Sequence, residues 1–174
     1  MPPGALHPSN EPLMERALAL ATRGLEEGEL PIGAVVAVDG EVIAEAYWRG
    51  GTEPGWLRHP ELVALLAADE VAGRDRRRAV LCTTLEPCLM CMGAAMSFFL
   101  AKVVYALPSP TDGAASVAAQ WAPGRGHPLA GSAAPYRVPE VLGGIGRERS
   151  AALVRAFLDR GAAGPLADWA RSLV

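Results

Sequence analysis

Met14, Ala17, Leu18, Ala21 and Leu25 recur at helical spacing behind Asn10, a residue type that caps helices. They predict a first helix with Pro12 in its opening turn and Gly24 and Gly28 at its end. The period then changes. Residues 32–38 form a short apolar run rich in β-branched side chains, as a central strand requires, and Asp39-Gly40 is the strongest short hairpin signal. Residues 41–48 return as the partner strand, and 50–55 are loop. A helix follows over 60–72, with proline in its first turn and Gly73 just past its end. The pattern continues with a strand at 79–84, a helix at 88–100 behind Pro87, and a strand at 103–107. Farther on come a short helix at 114–120, a loop dense in proline and glycine at 122–135, and a strand at 138–142. Pro139 puts that strand at a sheet edge, because it cannot donate to a ladder on both sides. Residues 150–160 and 165–173 read as helices. A hairpin followed by alternating helix and strand predicts an α/β fold, one mixed sheet with helices on both faces. Residues 1–10 read as an extended N-terminal arm and 11–174 as a single domain.

Composition narrows this further. The 174 residues are 51% hydrophobic, enough for one ordinary domain, and three cysteines in such a length form no disulfide framework. Sixteen basic against nineteen acidic side chains leave a net charge of −3, so no global field draws the chain to nucleic acid. The one dense basic run, Arg74, Arg76, Arg77 and Arg78, reads as a solvated loop after a helix. No apolar run reaches the ~18–20 residues that span a bilayer; Lys102 interrupts the best candidate, residues 94–107. Pro2, Pro3 and Pro8 stand where a signal peptide needs a charged start and an apolar core. The expectation is a reduced cytoplasmic compartment and no membrane.

Two segments carry chemistry: His59-Pro60-Glu61 and Pro87-Cys88-Leu89-Met90-Cys91. Cys88 and Cys91 share one helical face in a first turn, where the helix dipole favours thiolate. Two thiolates and one imidazole are the ligand set of a catalytic zinc site that keeps its fourth position for water, whose pKa the metal lowers toward neutrality. Glu61, two residues beyond the histidine, can face that water without binding metal and act as a general acid and base. His-x-Glu followed by Pro-Cys-x-x-Cys is the signature of zinc-dependent base deaminases. Blander readings stand beside this one. Cys82 could close a purely structural zinc site, Cys88 and Cys91 could be a redox pair, and Glu61 an ordinary first-turn carboxylate. Glu86 reads as a structural acceptor for backbone amides, and Met90, Met92 and Met96 as filler. Trp48 and Trp56 either wall the pocket or serve core or interface packing. His7 and His127 read as exposed residues of proline-rich loops.

Thr84-Leu85-Glu86-Pro87-Cys88-Leu89-Met90-Cys91, with Pro31-Ile32-Gly33-Ala34 upstream, resembles the cytidine deaminase-like superfamily, in the branch of tRNA adenosine deaminases and guanine or cytosine deaminases. The resemblance runs from about residue 12 to about residue 160. It implies a three-layer α/β/α sandwich around a mixed five-stranded sheet, often dimeric or larger. It also implies one Zn2+ per chain held by His59, Cys88 and Cys91, with Glu61 as proton shuttle. Substrate contacts are implied for backbone groups near Ala34 and Leu85, and stabilisation of the tetrahedral centre for the Cys88 backbone amide. Three departures matter. Pro60 stands where the family usually has alanine, which a first helical turn tolerates. The strand that ends in a base-reading asparagine in tRNA adenosine deaminases ends here in Tyr47-Trp48-Arg49, and an indole cannot accept a hydrogen bond. Residues 120–137 form a longer, more proline-rich stretch, and Asp168, Trp169 and Arg171 lie where a basic tail would be.

The expectation is a zinc-dependent hydrolytic deaminase of a free nucleobase, nucleoside or related small heterocycle. The first alternative is tRNA adenosine deamination, with Arg137, Arg147, Arg149 and Arg155 meeting phosphates. The second is a non-catalytic zinc-stabilised interaction domain. A homodimer is expected.

Overall fold

The computed structural model describes residues 10–53, 55–122 and 135–174. The N-terminal arm ahead of Asn10, the interior of the loop expected at 122–135, and both His7 and His127 lie outside the described residues.

The first helix, α1 (Glu11–Glu26), starts where Asn10 predicts, but the asparagine side chain makes no capping bond. Gly24 does not end the helix. It is buried inside it, where an added Cβ would stand 3.2 Å from the Tyr47 ring. Gly28, at φ 82°, is the terminal glycine. Strands β1 (Gly33–Val38) and β2 (Glu41–Tyr47) form the expected hairpin, with Val38 opposite Glu41. Asp39 and Gly40 both take positive φ (52° and 89°), as a two-residue turn matched to strand twist demands. Helix α2 (Pro60–Ala72) has the predicted bounds, closed by Gly73 at φ 50°. The arginine run beyond it is a 3-10 turn, Gly73–Arg78. Arg78 pairs with Asp39 and Asp75, and Arg76 and Arg77 lie over the Phe99 ring, so three of the four arginines are engaged locally.

Strand β3 (Ala79–Leu85), helix α3 (Leu89–Ser97) and strand β4 (Lys102–Leu107) follow. Helix α3 is shorter than the expected 88–100: Cys88 is its extended N-cap residue, and the chain turns out of the helix through Phe99 at φ 66°. The remaining elements are α4 (Ala115–Ala119), β5 (Glu140–Gly143), α5 (Arg147–Asp159) and α6 (Pro165–Arg171). Pro139 sits just ahead of β5, which lies at an edge as anticipated.

The five strands are ordered β2-β1-β3-β4-β5. β1 is antiparallel to β2 and β3, while β3, β4 and β5 run parallel. Alternation along β1 sorts the layers. Val35 and Ala37 pack with α1 residues Met14, Ala17 and Leu18, and with Cys82 and Val104. Ala34 and Val36 pack with Leu81 of the neighbouring strand, and with α2 and α3 through Ala64, Leu65 and Met92. This is the mixed-sheet α/β/α sandwich, with both sheet faces buried as parallel strands require. Each fully buried valine or leucine contributes roughly 1.5–3 kcal/mol. A third cluster of Leu30, Ile32, Trp48, Leu85 and Leu107 packs against Ala151, Val154 and Ala170. It gathers β1, β3 and β4 chain ends with the last two helices, beside the openings of α2 and α3. No helix among the described residues is long and apolar enough to cross a membrane.

Candidate metal centre and its cleft

Proline shapes both ends of the site. Pro60 opens α2 and leaves His59 as its extended N-cap residue, and Pro87 turns the chain out of β3 so that Cys88 stands at the head of α3. Cys91 then projects from the first turn of that helix. The Cys88 Sγ lies 3.5 Å from His59 Nδ1, the Cys91 Sγ 3.6 Å from the same nitrogen, and the two sulfurs are 3.6 Å apart. Tetrahedral zinc with bonds of ~2.3 Å to sulfur and ~2.0 Å to nitrogen requires edges of about 3.8 Å between sulfurs and about 3.5 Å from sulfur to nitrogen. The triangle therefore fits the metal. All three cysteines are free thiols. Among the described residues the cluster able to hold a metal ion comprises His59, Cys88 and Cys91 alone.

Cys82 does not complete it. It follows the opposite pleat of β3 from Thr83, packs among the α1-side residues, and burial pushes its thiol up to about 12. That behaviour is that of a small buried hydrophobe, which removes the closed structural-zinc reading.

Electrostatics prepares the ligands. The hydrogen bond from Cys91 draws the Cys88 thiol down to about 4, with help from His59 and against the effect of burial. The same bond, with burial, drives the Cys91 thiol up. The Cys88 sulfur raises the proton affinity of His59. A bound divalent ion would convert both sulfurs to thiolates.

Glu61, one residue inside α2, is only 4% exposed. The Thr83 hydroxyl donates to its Oε1 at 2.8 Å, and its Oε2 lies 3.7 Å from Cys91 Sγ. Burial raises its pKa, opposed by the Thr83 bond. A carboxyl whose proton affinity is raised by burial beside a metal centre is suited to pass protons.

His59, Glu61 and Cys88 line one wall of a cleft of about 160 Å³. Of the residues expected to contact substrate, Leu85, Trp48 and Trp56 border it. Ala34 does not. It is fully buried within β1, between Ala46 and Thr83, and Ile32 reaches the cleft in its place. Trp48 is 9% exposed and meets His59 edge-on, with ring centroids 5.5 Å apart and planes at 65°. Its indole N–H is buried without a partner among the described residues. Trp56 is 88% exposed, at the mouth.

Glu86 behaves as anticipated for a structural acceptor: its two oxygens take the backbone N–H groups of Ser109 and Ala115, each at 3.1 Å. Four other residues were invisible to motif reading. Leu30 belongs to the wall, Leu166 and Trp169 of α6 border the opening, and Asp112 stands in the loop after β4. The neighbouring Gly113-Ala114-Ala115, small residues after the fourth strand, belong to the family resemblance but do not single out Asp112. Of the tRNA-directed arginines, Arg147, Arg149 and Arg155 lie on α5, and Arg137 lies apart, against the end of α3. Arg137 donates to the Arg77 carbonyl and its own N–H reaches Met96, at the far end of α3 from Cys88. Arg149 pairs with Glu15 and Arg155 with Glu148.

Residues 8–107 match the cytidine and deoxycytidylate deaminase zinc-binding region. Over 105 residues the chain is 38% identical to the tRNA-specific adenosine deaminase of Bacillus subtilis, covering 60% of this chain and 65% of that protein. Over 145 residues it is 32% identical to the enzyme of the same name from Agrobacterium fabrum, covering 83% and 90%. A structure solved in a study of A-to-I editing by tRNA:A34 deaminases has a TM-score of 0.65 and 32% identity over 81% of this chain and 97% of that one. Guanine deaminase from Bacillus subtilis has a TM-score of 0.51 and 33% identity over 58% and 66%.

Proposed function

The chain belongs to the cytidine and deoxycytidylate deaminase zinc-binding family, and from that premise we propose that it is a zinc-dependent hydrolytic deaminase of a free nucleobase, nucleoside or related small heterocycle. The observation that carries the reading is the placement of a buried, Thr83-held Glu61 beside the His59–Cys88–Cys91 triangle at a small, largely apolar cleft bordered by α6. When bound, zinc supplies the nucleophile by lowering the pKa of a water toward neutrality. Glu61 would accept one proton from this water and deliver it to a ring nitrogen, then take the remaining hydroxyl proton and pass it to the departing amine, so that ammonia leaves and a carbonyl stays on the ring. Thr83 holds one carboxylate oxygen so that the other faces the reaction. The Cys88 backbone N–H, at the head of α3, is in the reading the group that steadies the developing oxyanion. Trp48 buttresses His59, and Leu85, Trp48 and Trp56 meet the flat faces and edges of the ring; Ala34 would act only through its backbone.

Similarity to tRNA-specific adenosine deaminases over most of the chain favours a second reading, adenosine deamination in tRNA by the same groups. Ammonia release from zinc-loaded protein separates the readings across purines, pyrimidines, pterins and triazines, beside a tRNA anticodon stem-loop. The expected result is release from at least one small heterocycle, unchanged by salt. Release confined to the stem-loop, falling steeply with salt, establishes the second reading. No release from any substrate leaves the zinc-stabilised interaction domain.

A reduced cytoplasmic setting and a homodimer complete the proposal. Leu89 and Val117 are exposed beside an apolar groove shared with Met92 and Met96, a surface a second copy would cover. Sedimentation velocity at micromolar concentration is expected to give twice the chain mass. A single-chain mass there rejects the dimer.

A further inference from the structure

The cleft is unusually poor in uncommitted polar groups. Glu61 is engaged by Thr83, His59 and Cys88 belong to the metal centre, and both Glu86 oxygens are spent on backbone N–H groups. The Trp48 N–H is buried away from solvent. Asp112 remains. Its Oδ1 accepts from the Ser109 hydroxyl and, at 3.4 Å, from the Trp169 indole N–H and the Thr111 hydroxyl. Its other oxygen has no hydrogen-bond partner among the described residues, and the side chain borders the cleft from an exposed position.

The backbone holding Asp112 is tightly tied to the metal centre. Glu86 pins Ser109 and Ala115 on either side of it, Gly113 N–H bonds Ser109 O at 3.0 Å, and Ala114 N–H bonds Pro87 O at 3.0 Å. Gly113 also forms a bridge with Cys88 itself. An added Cβ at Gly113 would lie 2.4 Å from the Glu86 carboxyl carbon, so the close approach needs glycine. An acceptor so anchored is preorganised with respect to the reacting centre, which is what selectivity at a binding site requires.

We infer that Asp112 is a specificity-determining residue, selecting heterocycles that present an N–H donor edge away from the amine that leaves. A carboxylate accepts and cannot donate, so a ring with only acceptors on that edge meets an unpaired charge, whereas a ring N–H or second amino group gains a charge-assisted bond. The inference rests on the small-heterocycle reading and names the chemistry of its substrate.

The test is binding to zinc-loaded protein, followed by quenching of the cleft tryptophans and by calorimetry, with 2,6-diaminopurine against adenine and isocytosine against pyrimidin-4-one. The wild-type chain is expected to prefer the ring with the extra amino donor by at least about tenfold in one of these pairs. Asp112→Asn is expected to erase most of that preference, raising Kd for the donor-bearing ring while leaving the other within about twofold. Zinc content and melting temperature, read alongside, guard against a merely structural effect. An equal loss for both rings, an unchanged preference, or no saturable binding by any of the four overturns the assignment. Binding needs no turnover, so these outcomes stand apart from the ammonia panel: a chain that binds selectively and releases no ammonia defeats the deaminase reading and leaves Asp112 as the selector.

Discussion

Glu61→Gln is expected to cost about 10²–10⁴-fold in ammonia release while zinc content and fold stay intact. The amide keeps the volume of the carboxyl, and its Oε1 can still accept the Thr83 hydroxyl that now stands 2.8 Å from Glu61. It cannot carry a proton. Stability should therefore hold, because burial already disfavours the charged carboxylate and the amide removes that penalty. The ordinary reading of a first-turn acidic residue, support of the helix dipole, predicts a surface side chain worth a few tenths of a kcal/mol. A carboxyl 4% exposed is the opposite case: burying it costs stability, and such a group persists where its chemistry is used. Glu61→Ala adds a cavity, so loss of folding there would be uninformative and the glutamine variant decides. Metal analysis, calorimetry and a coupled ammonia assay are the three measurements. Turnover within tenfold of wild type would remove Glu61 from the mechanism.

The metal ligands were legible because their spacing is local. Cys88 and Cys91 share a helical turn, and His59 and Glu61 flank a proline that fixes where α2 begins. The hairpin was legible for a similar reason: Asp39-Gly40 sets both turn dihedrals without help from the rest of the chain. Gly24 misled because its packing against Tyr47, across the chain, outweighs its local preference for a helix end. Helix α3 ends early because Phe99 turns left-handed, so that the chain reaches Ala101 N–H, which bonds Ala79 O at 2.9 Å. The rest of the cleft depends on long-range contacts of this kind. Leu166 and Trp169 arrive from the last helix, and Asp112 is placed by Glu86, whose own role could be anticipated but whose consequence could not. Ala34 illustrates the converse. The resemblance brings its backbone near the substrate, while its side chain packs in the α2 layer and Ile32, just ahead of β1, borders the cleft.

Removal of zinc is expected to abolish turnover and to lower the melting temperature by about 10 °C. A metal present at a thousandfold its dissociation constant adds about 4 kcal/mol to folding, and 1 kcal/mol moves the midpoint of a chain of this length by ~2–4 °C. The ligands come from the heads of two helices that pack on the same sheet face, so a bound ion adds a tie between the heads of α2 and α3, where the side chains meet through thiol contacts of 3.5–3.6 Å. His59→Ala should reproduce both losses in a single step, while refilling chelated wild-type protein with zinc should restore both. The same experiment decides the redox alternative for Cys88 and Cys91. Two sulfurs 3.6 Å apart could close a disulfide with little motion, and a redox pair would keep its activity under a chelator and respond to dithiothreitol instead. A metal centre behaves in the reverse way: its thiolates are protected from oxidation while zinc is bound, and become reactive toward disulfide reagents only after chelation.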